Sequence, residues 1–93
     1  MDAYKDLISM VVRREMGVLG PEKTLALLPE AGIRVDAKGE VLSYTGPGRE
    51  VLDKLLRLFG ERYGLWAVVA CKIAVLKEAA RQNLPLPDIL GTK

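Results

Sequence analysis

The segment from Leu65 to Gln82 constrains the fold of this chain more than any other feature of the sequence. When it is projected as a helix, large apolar residues spread over about half of the circumference, namely Leu65, Trp66, Val68, Val69, Ile73, Val75 and Leu76. The opposite side carries a stripe of small residues, Ala67, Ala70, Cys71 and Ala74. A helix that is apolar nearly all round is usually central in a protein or covered by a partner. A chain of 93 residues has few other elements with which to cover it.

Three further helices are predicted from apolar spacing and from helix start and stop signals. Apolar residues recur at steps of three and four over 2–16 and again over 51–63. Between these two segments, Pro21 opens a short helix that Pro29 ends or kinks. Glycines at 60 and 64 weaken the end of the third helix. The last two helices therefore form either an antiparallel pair, which we favour, or one long bent helix.

The middle of the chain predicts a β-hairpin. The segment Ile33–Tyr44 has β-branched and aromatic residues on both sides of the turn sequence Asp36–Gly39. An isolated two-stranded ribbon is barely stable in water, so it must lie against helices or pair with another copy. The predicted fold class is therefore α+β and predominantly helical, in the order helix-helix-hairpin-helix-helix. We expect one small domain over 1–93 with an oligomeric helical core, in which 84–93 form an extended tail.

The composition excludes several common chemical classes. The chain has no histidine and one cysteine. This removes histidine-based catalytic pairs, histidine metal ligands and a cysteine-only zinc site within one chain. The spacings typical of nucleotide-binding loops and of calcium-binding loops are absent from the sequence. We therefore expect no cofactor, no metal site and no catalysis.

Charge and the absence of targeting signals favour a cytoplasmic protein. The net charge of +2 is too small to indicate a nucleic-acid or membrane partner by itself. No signal-peptide pattern is visible at the N-terminus, and the apolar stretch Leu65–Leu76 is shorter than the ~20 residues of a membrane span. The single Cys71 fits a reducing compartment. Scarce amide side chains beside many charged ones resemble a thermophile composition.

The small residues of the last two helices predict a surface for the close approach of another helix. The candidate interface residues are Gly60, Gly64, Trp66, Ala67, Ala70, Cys71 and Ala74. The small stripe packs either on the first helix of the same chain or on itself across a symmetry axis between subunits. Because four modest helices have much apolar area to cover, we favour some burial between subunits in a homo-oligomer, preferably a dimer.

Two other places are candidates for binding a small ligand. Gly46, Gly48 and Arg49 surround a helix start, where backbone N–H groups bind anions. Lys72 projects into the broad apolar side of the fourth helix, where a desolvated lysine becomes a nucleophile or base. At both places the simpler interpretation is favoured. The first is an ordinary helix start, and the second is a lysine whose stem packs while its amine reaches water.

Basic residues on the predicted helices define the main alternative function. Arg13, Arg14, Arg57 and Arg62 are the candidate nucleic-acid contacts, although several basic residues have acidic neighbours at helical spacing. A solvated face of mixed charge is favoured. The expected function is therefore a small, non-catalytic, homo-oligomeric interaction or regulatory module. A nucleic-acid-associated protein is the alternative, and a ligand binder or enzyme centred on Lys72 or the 46–49 turn is the second alternative.

Overall fold

The structure, a computed structural model, describes residues 3–84, except for the side chain of Ala70. Within this range the chain forms, in order, α1 (Ala3–Leu19), α2 (Pro21–Leu27), a 3₁₀ turn (Leu28–Ala31), β1 (Ile33–Val35), β2 (Val41–Tyr44), α3 (Gly48–Tyr63) and α4 (Leu65–Gln82). This order confirms the predicted α+β, predominantly helical fold. The predicted tail over 84–93 lies outside the described residues apart from Leu84.

Helix α1 is longer than the sequence pattern predicted. The apolar stripe indicated an end at Met16, but the helix continues through Gly17 to Leu19. A glycine inside a helix costs only about 1 kcal/mol relative to alanine, so Gly17 does not end the helix. The helical hydrogen bonds continue past it, since the Gly20 N–H donates to the Met16 carbonyl at 3.1 Å. The helix ends at Leu19 because Gly20 adopts a φ of 95°, which the helical conformation does not allow.

The predicted break at Pro29 is confirmed. Helix α2 ends at Leu27, and Pro29 lies inside the 3₁₀ turn that follows. Proline has no N–H to donate, so the α-helical ladder of hydrogen bonds cannot continue through it. Gly32, in the left-handed conformation, ends the 3₁₀ turn and leads directly into β1.

The predicted hairpin is also confirmed, and Asp36 organises its turn. The Asp36 carboxylate accepts hydrogen bonds at 2.9 Å from the backbone N–H groups of Lys38 and Glu40. The antiparallel register pairs Ile33 with Tyr44, and it shifts after Arg34 so that the ladder contains a bulge. At the end of the turn, a Cβ on Gly39 would lie 2.5 Å from the Met16 sulfur. The hairpin therefore rests against α1 through this close approach.

Helices α3 and α4 are separate and fold back on one another. Gly64 joins them with a φ of 93°, and its N–H donates to the Gly60 carbonyl at 2.9 Å. The turn brings Val68 next to Gly60, where a Cβ would lie 3.3 Å from its side chain. This confirms the antiparallel pair rather than one bent helix.

Helix α1 lies at the centre of the fold. It contacts α2, α3, α4 and β2, and its inward side chains are fully buried at Leu7, Ile8, Val11 and Val12. Because the other elements surround α1, helix α4 is placed on the outside of the molecule with one side toward the core. The opposite side of α4 faces away from the other described elements.

Candidate functional site

The outer face of α4 is a strip of large apolar side chains that the rest of the described chain leaves uncovered. Leu65 is 71% exposed, Trp66 54%, Val69 61% and Ile73 72%. We define these four residues as the α4 outer face. Together they present on the order of 500 Å² of apolar surface, which is within the range of the largest patch on an ordinary monomer. Patches of this size mark interaction sites more often than isolated exposed residues do.

The spacing of this face continues along the helix. Trp66, Val69 and Ile73 are followed by the half-buried Leu76 and the exposed Ala80. The steps along this row alternate between three and four residues, which is the spacing of a seam between two packed helices. The α4 outer face is therefore apolar, and its residues have the spacing with which one helix packs against another.

Basic side chains border the α4 outer face. By helical projection, the half-buried Lys72 lies on one side of the strip and the exposed Lys77 lies on the other. Farther along the helix, Glu78 forms an ion pair with Arg81 and accepts a hydrogen bond from Gln82. These bonds to Arg81 and Gln82 hold the pKa of the Glu78 carboxyl below its usual value. The polar rim is thus concentrated in the second half of the helix.

The inner face of α4 carries the small residues that sequence reasoning proposed as an interface. Ala67 is fully buried and Cys71 is 1% exposed, whereas Ala74 is half-buried. Gly60 and Gly64, at the turn, are also half-buried. Helix α1 covers this side, and the side chain of Ala70 lies outside the described part. Among the candidate interface residues with a described side chain, Trp66 is the one that belongs to the outer face.

Cys71 is embedded in the seam between α4 and α1. Its thiol contacts the carbonyl oxygens of Val68 and Ala67 at 3.4 and 3.7 Å. Burial, together with the nearby Glu15 carboxylate, raises the pKa of the Cys71 thiol to about 12. A thiol with this pKa stays protonated near neutral pH, so it behaves as a packed apolar group rather than as a nucleophile.

Glu15 is the residue in this seam that sequence reasoning missed. It is fully buried in α1, and neither oxygen of its carboxylate has a hydrogen-bond partner. Burial raises the pKa of Glu15 from 4.5 to about 7. A signal was present in the sequence, because Glu15 follows the apolar Ile8, Val11 and Val12 at helical steps of seven, four and three. It therefore lies on the apolar stripe and not on the charged side of α1.

The Gly46–Arg49 turn forms an ordinary helix start in the structure. Helix α3 begins at Gly48, and the Val51 N–H donates to the Pro47 carbonyl at 3.0 Å. The cleft beside this turn is lined by Glu30, Glu50 and Lys54, among other residues. Glu30 is paired with Arg62, so the remaining lining charges, Glu50 and Lys54, balance and leave no excess of positive charge to attract an anion. The anion-site hypothesis therefore gains no support from the neighbouring charges.

The four candidate arginines have different surroundings. Arg57 donates to Asp53 at 2.8 Å, and Arg62 donates to Glu30 at 2.6 Å, so both guanidinium groups already bind carboxylates. Arg13 donates to the Ser9 carbonyl oxygen at 3.4 Å. Arg13 and Arg14 border an open groove of about 550 Å³ between α1 and α4. Nucleic-acid binding stays a prediction that the pairing of Arg57 and Arg62 does not favour.

Within residues 3–84, no group of three or more cysteine, aspartate or glutamate side chains is arranged to hold a metal ion. Among the described helices, none is long and apolar enough to cross a membrane. Comparisons with protein-family models, with curated proteins and with solved structures find no match to this chain.

Proposed function

We propose that this chain is a small homo-oligomeric interaction module that self-associates through the α4 outer face and has no catalysis of its own. The observation that carries the proposal is the exposure of four large apolar side chains in two turns of one helix. A protein that remained monomeric would keep this surface in contact with water, at a cost of about 25 cal/mol for each Å².

The size of the α4 outer face supports self-association. Two copies that cover each other's face would bury on the order of 1,000 Å² in total, which is about the lower limit for a specific interface. An interface of that size is compatible with reversible association rather than with a permanent complex. We therefore expect an equilibrium between monomer and oligomer that responds to concentration.

Light scattering across a dilution series tests the proposal. The mass should fall from that of an oligomer toward that of the 10.2 kDa monomer on dilution. Ile73→Glu should weaken association by roughly 30-fold or more, the effect expected for the loss of an interface hot spot. Leu42→Glu is the matched control, because Leu42 is also a large exposed apolar residue, 55% exposed, but lies in the hairpin. It should associate like the unmodified chain.

Two results would contradict the proposal. A monomeric mass at the highest concentration that stays in solution would show that the α4 outer face does not drive self-association. An equal loss of association in Ile73→Glu and Leu42→Glu would show that the contact lies elsewhere or is unspecific. Circular dichroism of both variants should match that of the unmodified chain, because both positions are exposed.

A further inference from the structure

We propose that two copies of this chain associate through an antiparallel pair of α4 helices, related by a two-fold axis that passes beside Val69. This inference rests on the proposed function and specifies its geometry. It names the second copy as the occupant of the α4 outer face and assigns a role to Lys72.

The position of the axis follows from the position of the exposed residues. Leu65 and Ile73 are the most exposed large apolar residues of α4, at 71% and 72%. Val69 lies midway between them, about 6 Å from each along the helix axis. The second half of α4 is different, since it exposes Lys77, Ala80 and Arg81. A contact that buries apolar surface on both copies must therefore be centred on the first half of the helix.

The direction of the pair follows from the charges. In a parallel pair the two-fold axis runs along the helices and exchanges their flanks, so Lys72 of each copy would lie on the same side as the partner's Lys77, and the helix dipoles would be aligned. In an antiparallel pair about Val69, Lys77 of each copy lies beyond the N-terminal end of the partner's α4. Leu65 then faces the partner's Ile73, so the most exposed apolar residues cover each other. The antiparallel arrangement is the one that avoids like-charge contacts.

The flanks of the α4 outer face help to locate the axis along the helix. By helical projection, Lys72 and Leu65 lie on one flank of the strip and Trp66 lies on the other. The two-fold axis of an antiparallel pair keeps each flank on its own side, so an axis beside Val69 places the stem of Lys72 next to the partner's Leu65. An axis one turn later, beside Ile73, would instead bring the two copies of Lys72 to nearly the same height on the same flank. Repulsion between these like charges disfavours that position.

The spacing of the row is suited to such a pair. The steps of three and four from Trp66 to Ala80 are those of helices that cross at about 20° with interlocking side chains. The same surface patch is used on both copies, as a two-fold contact requires. Such a contact closes on itself and produces a dimer, whereas a contact between two different patches produces rings or filaments.

Disulfide trapping tests the geometry. Cys71→Ala removes the native thiol, and Val69→Cys, Ala80→Cys, Leu65→Cys and Ile73→Cys are then introduced one at a time. Val69→Cys should form a disulfide-linked dimer roughly 10-fold faster than Ala80→Cys, because a disulfide needs Cα atoms within about 7 Å. Leu65→Cys mixed with Ile73→Cys should cross-link roughly 10-fold faster than either variant alone, since each faces the other across the axis. If Cys71→Ala fails to fold, Cys71 is retained, because its buried thiol is protonated and inaccessible.

The outcomes separate this inference from the proposed function. If Ala80→Cys and Ile73→Cys cross-link with themselves as fast as Val69→Cys, the pair is parallel and the inference is overturned. If the unmodified chain is a dimer by light scattering and Val69→Cys does not cross-link, the geometry is overturned while self-association stands. If the chain is monomeric at every concentration, the proposed function and this inference both fail.

Discussion

Helices α3 and α4 are neighbours of similar length, 16 and 18 residues, yet they distribute their apolar residues in opposite ways. Helix α3 buries its large apolar side chains, Val51, Leu52, Leu55, Leu56 and Phe59. Its outer side carries charges such as the pair between Arg57 and Asp53. Helix α4 buries mostly small or short side chains and exposes its largest ones.

The inner face of α4 explains this inversion. Ala67, Cys71, Val75 and Ala79 repeat every four residues and are all almost fully buried. A row at this spacing forms a ridge of low side chains, which lets the axis of another helix approach closely. The side of α4 with small residues therefore faces the core, because α1 can pack closely against it. The large residues remain outside, where no other element within residues 3–84 covers them.

The largest expected loss of stability comes from truncating a buried side chain on the inner face of α3. Phe59 is fully buried, so Phe59→Ala should lower the free energy of unfolding by about 3–5 kcal/mol through lost burial and the cavity left behind. Ile73→Ala on the α4 outer face is the control and should change the stability of the monomer by less than about 0.5 kcal/mol. Urea unfolding at a concentration where the chain is monomeric measures both. Equal losses in the two variants would mean that Ile73 is also part of the core.

The second prediction is a pH dependence of stability caused by Glu15, which packs against the inner face of α4 near Cys71. Its folded pKa of about 7 exceeds its ordinary value of 4.5, so between these values the folded state keeps a proton that the unfolded state has released. The contribution of Glu15 to stability is therefore largest below about pH 4.5 and is lost as the pH rises through 7. The loss is about 3 kcal/mol, at 1.36 kcal/mol for each pKa unit.

Glu15→Gln tests this pH dependence. The amide does not ionise, so the variant should lose the decrease in stability between pH 5 and pH 8 that the unmodified chain shows in urea unfolding. Glu61→Gln is the control, because Glu61 is exposed on α3. It should keep the pH dependence of the unmodified chain. If Glu15→Gln retained the full decrease, another group would be responsible for it.

A smaller loss of stability should come from replacing a small buried residue of α4 with a larger one. Ala67 is fully buried against the core, so Ala67→Leu should cost about 1–3 kcal/mol of stability through overpacking. Ala80 is exposed on the same helix, and Ala80→Leu should change the stability by less than about 0.5 kcal/mol. Thermal unfolding compares the two. A similar cost at both positions would contradict the assignment of an inner and an outer face.

Much of the fold follows from local signals in the sequence. The hairpin over Ile33–Tyr44, the break at Pro29 and the helix Leu65–Gln82 were predicted from turn residues, proline geometry and apolar spacing. The end of α1 was not, because Gly17 resembled a stop signal although a single glycine only weakens a helix. Glu15 was also missed, since a charged residue is ordinarily assigned to solvent even when its helical position is apolar.

The sequence by itself determined that the last helix is apolar on nearly all sides and that histidine chemistry is absent. It did not determine which side of that helix faces the core, because helical periodicity defines faces without assigning partners to them. Only the tertiary structure decided that the small residues Ala67 and Cys71 pack toward α1 and that Leu65, Trp66, Val69 and Ile73 face outward. The physical reason is close packing, since a tight approach between α1 and α4 accommodates Ala67 and Cys71 but not larger side chains.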